Sequence, residues 1–437
     1  MSDIVLSGGI AIVPDDPGRV AARRCDVLLR DQWIVAVGGE GQVPVDFDPE
    51  VRDVSGCFVM PGLVNAHGHA AMSLLRGYAD DLPLMEWLEE RIWPIEEEMT
   101  EADIAAGTAL AVAEMLLGGT TCFADMYFAM ERVADVCRDL GIRAVLSRGL
   151  IGFGEGAQRG LEESRRLVKR WHKAEGGRIT VSLGPHAPYT CPPDYLETVV
   201  EMARKLRVGI HTHLAETEGE VREIMDRYGK GPVDYYDEVG LLGASPVTLA
   251  HGVHLDEADM RKLAARGAGV VPCPRSNLRL ASGIAQIEEM LDVGLTVGLG
   301  TDGAASAGTL DMWEEMRFAS YLQKGSRLDA RAMPASRALY LATRGGASAL
   351  GLEDVGELSP GFRADIIVVR SDSSHMTPLH DPLSSLLNAA GPGDVDSVMV
   401  DGADIVADSH LVSNELERIL QESRSSARAM VERVERK

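Results

Sequence analysis

Between Phe58 and Thr301 the chain alternates short apolar runs with longer amphipathic stretches, and this alternation restricts the fold more than any other feature. The runs are Phe58–Ala66, Thr120–Asp125, Arg143–Arg148, Ile179–Pro185, Val208–His213, Val247–His251, Gly269–Pro272 and Leu295–Thr301. Helical spacing separates them, as over Glu101–Leu117 and Arg132–Leu140. Eight strands alternating with helices predict an α/β fold, a parallel (β/α)8 barrel of the TIM type. In such a barrel all strand C-termini meet at one rim, so residues far apart in sequence converge there.

The flanks read differently. Ile4–Leu6, Ile10–Val13 and Ile34–Val37 on one side, and Ala364–Val369 and Ser397–Val400 on the other, are β-type runs broken by turn residues. Neither flank is long enough to bury a core alone. The two are expected to pack together as a small composite β-sandwich formed by both termini. The expected organisation is therefore 1–57 for the first part of the sandwich, 58–355 for the barrel and 356–437 for the rest. Near the C-terminus, Leu416, Ile419, Leu420, Met430, Val431 and Val434 recur at helical spacing and predict a packed helix.

Charge and cysteine usage exclude some classes of partner. A net charge of −24 repels phosphate backbones and anionic headgroups, which argues against nucleic acid and membrane. No apolar run is long enough to span a bilayer, and the N-terminus lacks a basic stretch followed by an apolar one. The six cysteines are scattered without a C-x-x-C pair, as in reduced cytoplasmic proteins. The expected location is the cytoplasm.

The expected strand ends carry the chemistry. The first run leads into His67 and His69, the fifth ends on His213, the sixth on His251, and the eighth on Asp302. A lone histidine at a strand end is more often a structural residue than a ligand. Four such strand ends at one rim make a donor set for Zn²⁺ or another divalent transition ion. Glu216, three residues past His213, falls within one water's reach of such an ion and can accept the water's proton. Glu218, Glu220 and Glu223 fit the bland alternative of acids at a helix N-terminus. His211 shares a face with His213 but sits deeper, and reads as structural. His172, His375, His380 and His410 read as surface residues. The run Ile179–Pro185 holds no lysine, the residue that commonly bridges two metals in this architecture, so one metal is expected. Gly152-Phe-Gly-Glu-Gly-Ala157 loosely matches a dinucleotide fingerprint, but the motif is short and reads as a substrate loop.

These stretches resemble the amidohydrolase superfamily, and within it the branch of 5′-methylthioadenosine/S-adenosylhomocysteine deaminases. The resemblance covers nearly the whole chain. It is carried by Met60-Pro-Gly-Leu-Val-Asn-Ala-His-Gly-His69, Leu74-Leu-Arg-Gly77, Trp93-Pro-Ile-Glu96, Gly184-Pro-His-Ala-Pro-Tyr189, His211-Thr-His-Leu-Ala-Glu216, Ala250-His-Gly-Val-His254 and Gly300-Thr-Asp-Gly-Ala-Ala-Ser306. It implies one Zn²⁺ on His67, His69, His213 and Asp302, with Fe²⁺ or Mn²⁺ as alternatives. It further implies His251 beside the attacking water, Asp302 orienting that water, and Glu216 as proton shuttle. Glu96 would grip ribose hydroxyls, His186 would contact the nucleoside, and Arg148 and Arg159 would reach the 5′ substituent. The implied reaction releases the 6-amino group of an adenine nucleoside as ammonia, and a homo-oligomer is compatible with it. Another hydrolase on the same metal set, a guanine or cytosine deaminase or an aminotriazine hydrolase, is the alternative. A scaffold protein that had lost its chemistry would be expected to lose ligands too, and here every one is present. The chain departs from the branch at Ala307-Gly308, where two asparagines are frequent, which puts fine substrate preference in question.

Overall fold

The computed structural model describes residues 3–39, 41 and 48–436. Its centre is an eight-stranded parallel sheet whose strands follow one another in chain order. They are β1 (Leu63–Gly68), β2 (Thr120–Tyr127), β3 (Arg143–Leu150), β4 (Ile179–Pro185), β5 (Ile210–Leu214), β6 (Val247–His251), β7 (Gly269–Val271) and β8 (Thr296–Val297). The ring closes where the Ala66 amide donates to the Leu299 carbonyl at 2.9 Å and the Asp302 amide to that of His67 at 3.1 Å. Asn65 reinforces the closure, donating to Thr301 Oγ1 at 2.7 Å and accepting from the Thr301 amide at 2.9 Å. The approach is close enough that a Cβ on Gly300 would lie 2.9 Å from the His67 backbone.

The helices that matter here are α1 (Glu101–Leu117), α2 (Gly156–Trp171), α3 (Glu218–Tyr228), α4 (Pro274–Arg279), α5 (Met312–Arg327) and α6 (Leu416–Glu435). Helix α1 begins at a capping box, Thr100 with Asp103, which satisfies two of its otherwise unpaired amides. It ends before Gly118 and feeds β2. The C-terminal helix α6 buries Ile419 and Met430, and Ser423 donates to the Ala106 carbonyl of α1 at 3.1 Å.

The run Phe58–Ala66, expected as one strand, is two. Cys57–Pro61 pairs with Ile366–Arg370 and Ile10–Pro14 in a terminal sheet, and only Leu63–Gly68 enters the barrel. The crossing point is Gly62, where any side chain would collide with Thr121: a Cβ there would sit 2.0 Å from its Oγ1. The eighth run is also shorter than expected, since only Thr296–Val297 is regular strand.

Both termini build the flanking sheets. A seven-stranded sheet runs His410–Leu411, Ala403–Ala407, Val395–Val400, Ile366–Arg370, Cys57–Pro61, Ile10–Pro14 and Val20–Arg24. A four-stranded sheet runs Trp33–Gly38, Asp26–Arg30, Asp3–Ser7 and Glu50–Asp53. Residues of both, among them Leu6, Val27, Ile34, Val59 and Ile366, share one buried cluster, the core of the composite sandwich. Among the described residues no helix is long and apolar enough to cross a membrane.

Candidate metal centre and substrate chamber

The strand ends place their polar residues together, as a parallel barrel requires. His67 is the last residue but one of β1 and His69 lies just past its end; their rings stand 4.9 Å apart at 84°. His213 from β5 and His251 from β6 stack at 5.4 Å, and the His67 ring meets both edge-on. Asp302 follows β8 and points Oδ1 to within 3.3 Å of His69 Nε2 and 3.7 Å of His67 Nε2.

The backbone fixes the tautomers. His69 Nδ1 lies 2.6 Å from the Met126 carbonyl, and His213 Nδ1 lies 2.6 Å from the His186 carbonyl. A carbonyl only accepts, so each Nδ1 carries the proton and each Nε2 presents a lone pair. Those two Nε2 atoms face each other at 3.4 Å. His67 Nε2, fully buried, has no hydrogen-bond partner among the described residues. Two lone pairs, the unpartnered Nε2 of His67 and a carboxylate oxygen thus converge. Acceptors alone repel; a cation removes the repulsion and satisfies all four, at a donor set suited to zinc. Burial holds His67 and His213 well below their ordinary value, in the neutral form that ligation needs. Burial would raise Asp302, but its neighbours His69, His251 and Ser276 outweigh that and hold it lowered, in the anionic form.

Two triads of donors are close enough to share an ion, His67–His69–Asp302 and His67–His213–His251, and both include His67. They describe one locus. His251 differs from the others in its back contact: Nδ1 lies 3.0 Å from the amide nitrogen of Asn277. That amide donates, so Nε2 of His251 carries the proton and acts as a donor. It points to Glu216, whose Oε2 is 3.7 Å away. Burial first, then the charge of Asp302, pushes the Glu216 carboxyl well above its usual range.

Around this locus lies an inner cavity of about 120 Å³, lined by Trp93, Glu96, His186, Glu216 and His251 among others. It shares Trp93, Glu96, Phe128, Ile151 and Tyr189 with an outer chamber of about 1170 Å³. Glu96 lines both, and Tyr127 donates to its Oε1 at 2.5 Å. Burial raises Glu96 to about 7. His186 lines the inner cavity, held by Thr190 at 3.0 Å and lowered by burial to about 4. Arg148 and Arg159 line only the outer chamber, and Arg159 is largely exposed.

Several contacts were not foreseen. His211, read as structural, does stay off the cation locus, but its Nε2 lies 2.9 Å from His67 Nδ1 and so orients that ring. Glu220, read as an acid at a helix N-terminus, does lie in the first turn of α3, but it is buried, and its carboxylate accepts the Ala215 amide at 2.7 Å and the Glu216 amide at 2.9 Å. Ser276 and Ser306 donate to Asp302 Oδ2 at 2.5 and 2.9 Å, which leaves Oδ1 for the histidines. Ser276 and Asn277 come from α4, just past the end of β7, a strand for which no rim residue was expected. The usable signal was their position at the same rim.

The comparisons with known proteins agree with this geometry. Residues 58–404 match the model of the amidohydrolase family. The chain belongs to the amidohydrolase family. A curated relative from Pelotomaculum thermopropionicum, a 5-methylthioadenosine/S-adenosylhomocysteine deaminase, is 48% identical over 434 residues, 99% of this chain and 100% of its own. Among solved structures, an adenosine deaminase from Xanthomonas campestris with bound zinc superposes with a TM-score of 0.93 at 34% identity, covering 98% of each chain. An atrazine chlorohydrolase from Arthrobacter aurescens TC1 complexed with zinc gives 0.89 at 26%, covering 97% of this chain and 100% of that one. This amidohydrolase thus shares its barrel and terminal sheets with hydrolases that act on different rings, and its substrate has to be argued from the cavity.

Proposed function

We propose that the protein is a mononuclear metal-dependent aminohydrolase. It removes the 6-amino group of adenine nucleosides as ammonia, with 5′-methylthioadenosine and S-adenosylhomocysteine as substrates and adenosine as a further one. The observation that carries this reading is the convergence of acceptors at His67, His69, His213 and Asp302, with Glu216 and a protonated His251 Nε2 beside it. The relatives named as deaminases support the substrate class.

His67, His69, His213 and Asp302 would hold a divalent cation, which would supply the Lewis acidity that makes water acidic enough to attack near neutral pH. Asp302 accepts a hydrogen bond from the attacking water and aims it at carbon 6. Glu216 takes the water's proton and delivers it to ring nitrogen 1, which makes carbon 6 electrophilic. The new carbon–oxygen bond creates a tetrahedral centre, and the N–H of His251 stabilises the negative charge that develops there. The proton left on the new hydroxyl passes through Glu216 to the amino group, the carbon–nitrogen bond breaks as the carbonyl forms, and ammonia leaves behind the hypoxanthine form. Glu96 accepts from the ribose hydroxyls and His186 contacts the nucleoside, so the base is positioned before attack. Arg148 and Arg159 lie where a 5′ tail would extend.

Ultraviolet spectroscopy of adenine-to-hypoxanthine conversion across the three nucleosides, run with metal analysis, tests the reading. Glu216→Gln should keep the metal and lower turnover by about 10²–10⁴-fold. Metal-loaded protein that leaves all three nucleosides unchanged would sink the proposal. Glu96→Ala separates it from a free-base or triazine hydrolase: nucleoside turnover should fall sharply while free adenine, which has no diol to grip, is little affected.

A further inference from the structure

One carboxylate in the outer chamber is shared by two guanidinium groups. Arg148 donates through Nε to Glu163 Oε2 at 2.8 Å. Its Nη1 bonds the Gly149 carbonyl, and its guanidinium lies over the Phe128 ring, 5.0 Å from the centroid. The fork is therefore held by the backbone, by an aromatic face and by Glu163. Arg159, one helical turn before Glu163 on α2, brings Nε to 3.9 Å from the other oxygen, Oε1. Phe128 lines both the inner cavity and the outer chamber, so this group stands where a 5′ tail would leave the nucleoside site.

The two principal substrates of the proposed reaction differ in that tail. One ends in a methyl thioether. The other ends in an α-amino acid, whose carboxylate seeks a guanidinium fork. At Arg148 that fork already holds a carboxylate, and a second one brought alongside is repelled by it. A methylthio tail makes no such demand and leaves the pair undisturbed. We propose that Glu163 is a specificity-determining residue: an internal carboxylate that competes with the substrate's for Arg148 and biases the enzyme towards the uncharged tail. The inference rests on the deaminase reading of the same site.

The experiment compares wild type, Glu163→Gln, Glu163→Ala, Arg148→Met and the double variant Arg148→Met/Glu163→Gln, all metal-loaded. For each, kcat/KM is measured with S-adenosylhomocysteine and with 5′-methylthioadenosine. Calorimetry gives the Kd of the deaminated products, S-inosylhomocysteine and 5′-methylthioinosine, independently of turnover. Removing the Glu163 charge should raise the S-adenosylhomocysteine to 5′-methylthioadenosine ratio by about tenfold, the equivalent of about 1.4 kcal/mol. The shift should lie in KM, with a parallel shift in product Kd. In the Arg148→Met background the Glu163→Gln change should move the ratio by no more than about twofold. A ratio that is unchanged or lowered in both Glu163→Gln and Glu163→Ala overturns the inference while leaving the deaminase reading intact. A wild type that deaminates neither nucleoside overturns both.

Discussion

Asn277 faces Nδ1 of His251 with an amide nitrogen at 3.0 Å, and this single contact settles which side of the imidazole carries a proton. With the proton on Nε2, His251 is a donor towards the reacting carbon rather than another lone pair for the cation. Asn277→Asp inverts that. A carboxylate accepts from Nδ1–H, so the Nε2 proton is lost. Turnover should fall by about 10²–10³-fold, the cost of removing one donor from developing charge, while metal analysis shows the site still loaded. Activity within threefold of wild type would exclude the tautomer argument. Glu96 gives a pH prediction. Burial raises it to about 7, and only its anionic form accepts from both hydroxyls of a diol. As pH falls through about 7 the carboxyl protonates, so the Kd of 5′-methylthioinosine should rise on the acid side and level off on the alkaline side. In Glu96→Gln the Kd should be weaker and flat across the same window. The imidazole pattern at the strand ends was legible because histidine is rare and each one closes an apolar run. Asn277 and Ser276 were not, because an amide and a hydroxyl in Cys273-Pro-Arg-Ser-Asn277 look like any helix start. His211 was legible as inward-facing, but its partner His67 lies 144 residues away, and no local pattern names that pairing.

Glu216 does not sit on β5 but on the turn that joins it to α3, and that turn is strained. Ala215 adopts φ of 49°, a left-handed conformation that costs a side-chain-bearing residue energy. Helix α3 compensates. From its first turn Glu220 reaches back and accepts both the Ala215 and Glu216 amides. One carboxylate thereby fixes the direction in which Glu216 leaves the strand. Glu220→Ala should lower kcat by about 10–100-fold through misplacement of the shuttle, with metal content unchanged and KM within about threefold. Loss of metal in the same variant would show that Glu220 supports the fold of β5 and not the aim of Glu216. The same scale shows where sequence patterns stop informing. Barrel strands were readable as short buried runs, and α1 as one of the long helical stretches between them. Val20–Arg24 was not: its outer residues are half-buried or exposed, and two of its five residues are arginines. Glu50–Asp53, mostly charged and exposed, gave no alternation either. Phe58–Ala66 looked like one strand because both halves are buried on both faces, and only the steric need at Gly62 marks the change of sheet.

At the scale of the molecule, barrel and sandwich are joined at the end of the barrel opposite the site. Arg143, the first residue of β3, is buried and holds Asp365 through two bonds of 2.6 and 2.9 Å, while Nη2 also reaches Asp401. Asp365 precedes the sandwich strand Ile366–Arg370, and its Oδ1 accepts the Asp401 amide at 2.8 Å. Arg363 continues the network, donating to Asp401 at 3.2 Å and lying 4.3 Å from the Trp33 ring centroid. These links connect a barrel strand to segments from both termini. Burial works against the charge on Arg143, but the carboxylates of Asp365 and Asp401 more than offset it. A buried pair of this kind contributes little net stability when intact, yet losing one partner strands the other charge at a cost of about 3–5 kcal/mol. Arg143→Met should therefore lower Tm by roughly 6–10 °C, taking about 2 °C per kcal/mol for a chain of this size. Arg143→Met/Asp365→Leu should recover much of that loss, because the stranded carboxylate goes with it. Stability belongs to this end of a barrel and chemistry to the other, so kcat at 25 °C should stay within about twofold of wild type in both variants. Differential scanning calorimetry beside the deaminase assay separates the two. A fall in kcat that tracks the fall in Tm would mean that the junction shapes the rim through the strands, and the barrel would then be a transmitter between its ends instead of a rigid support.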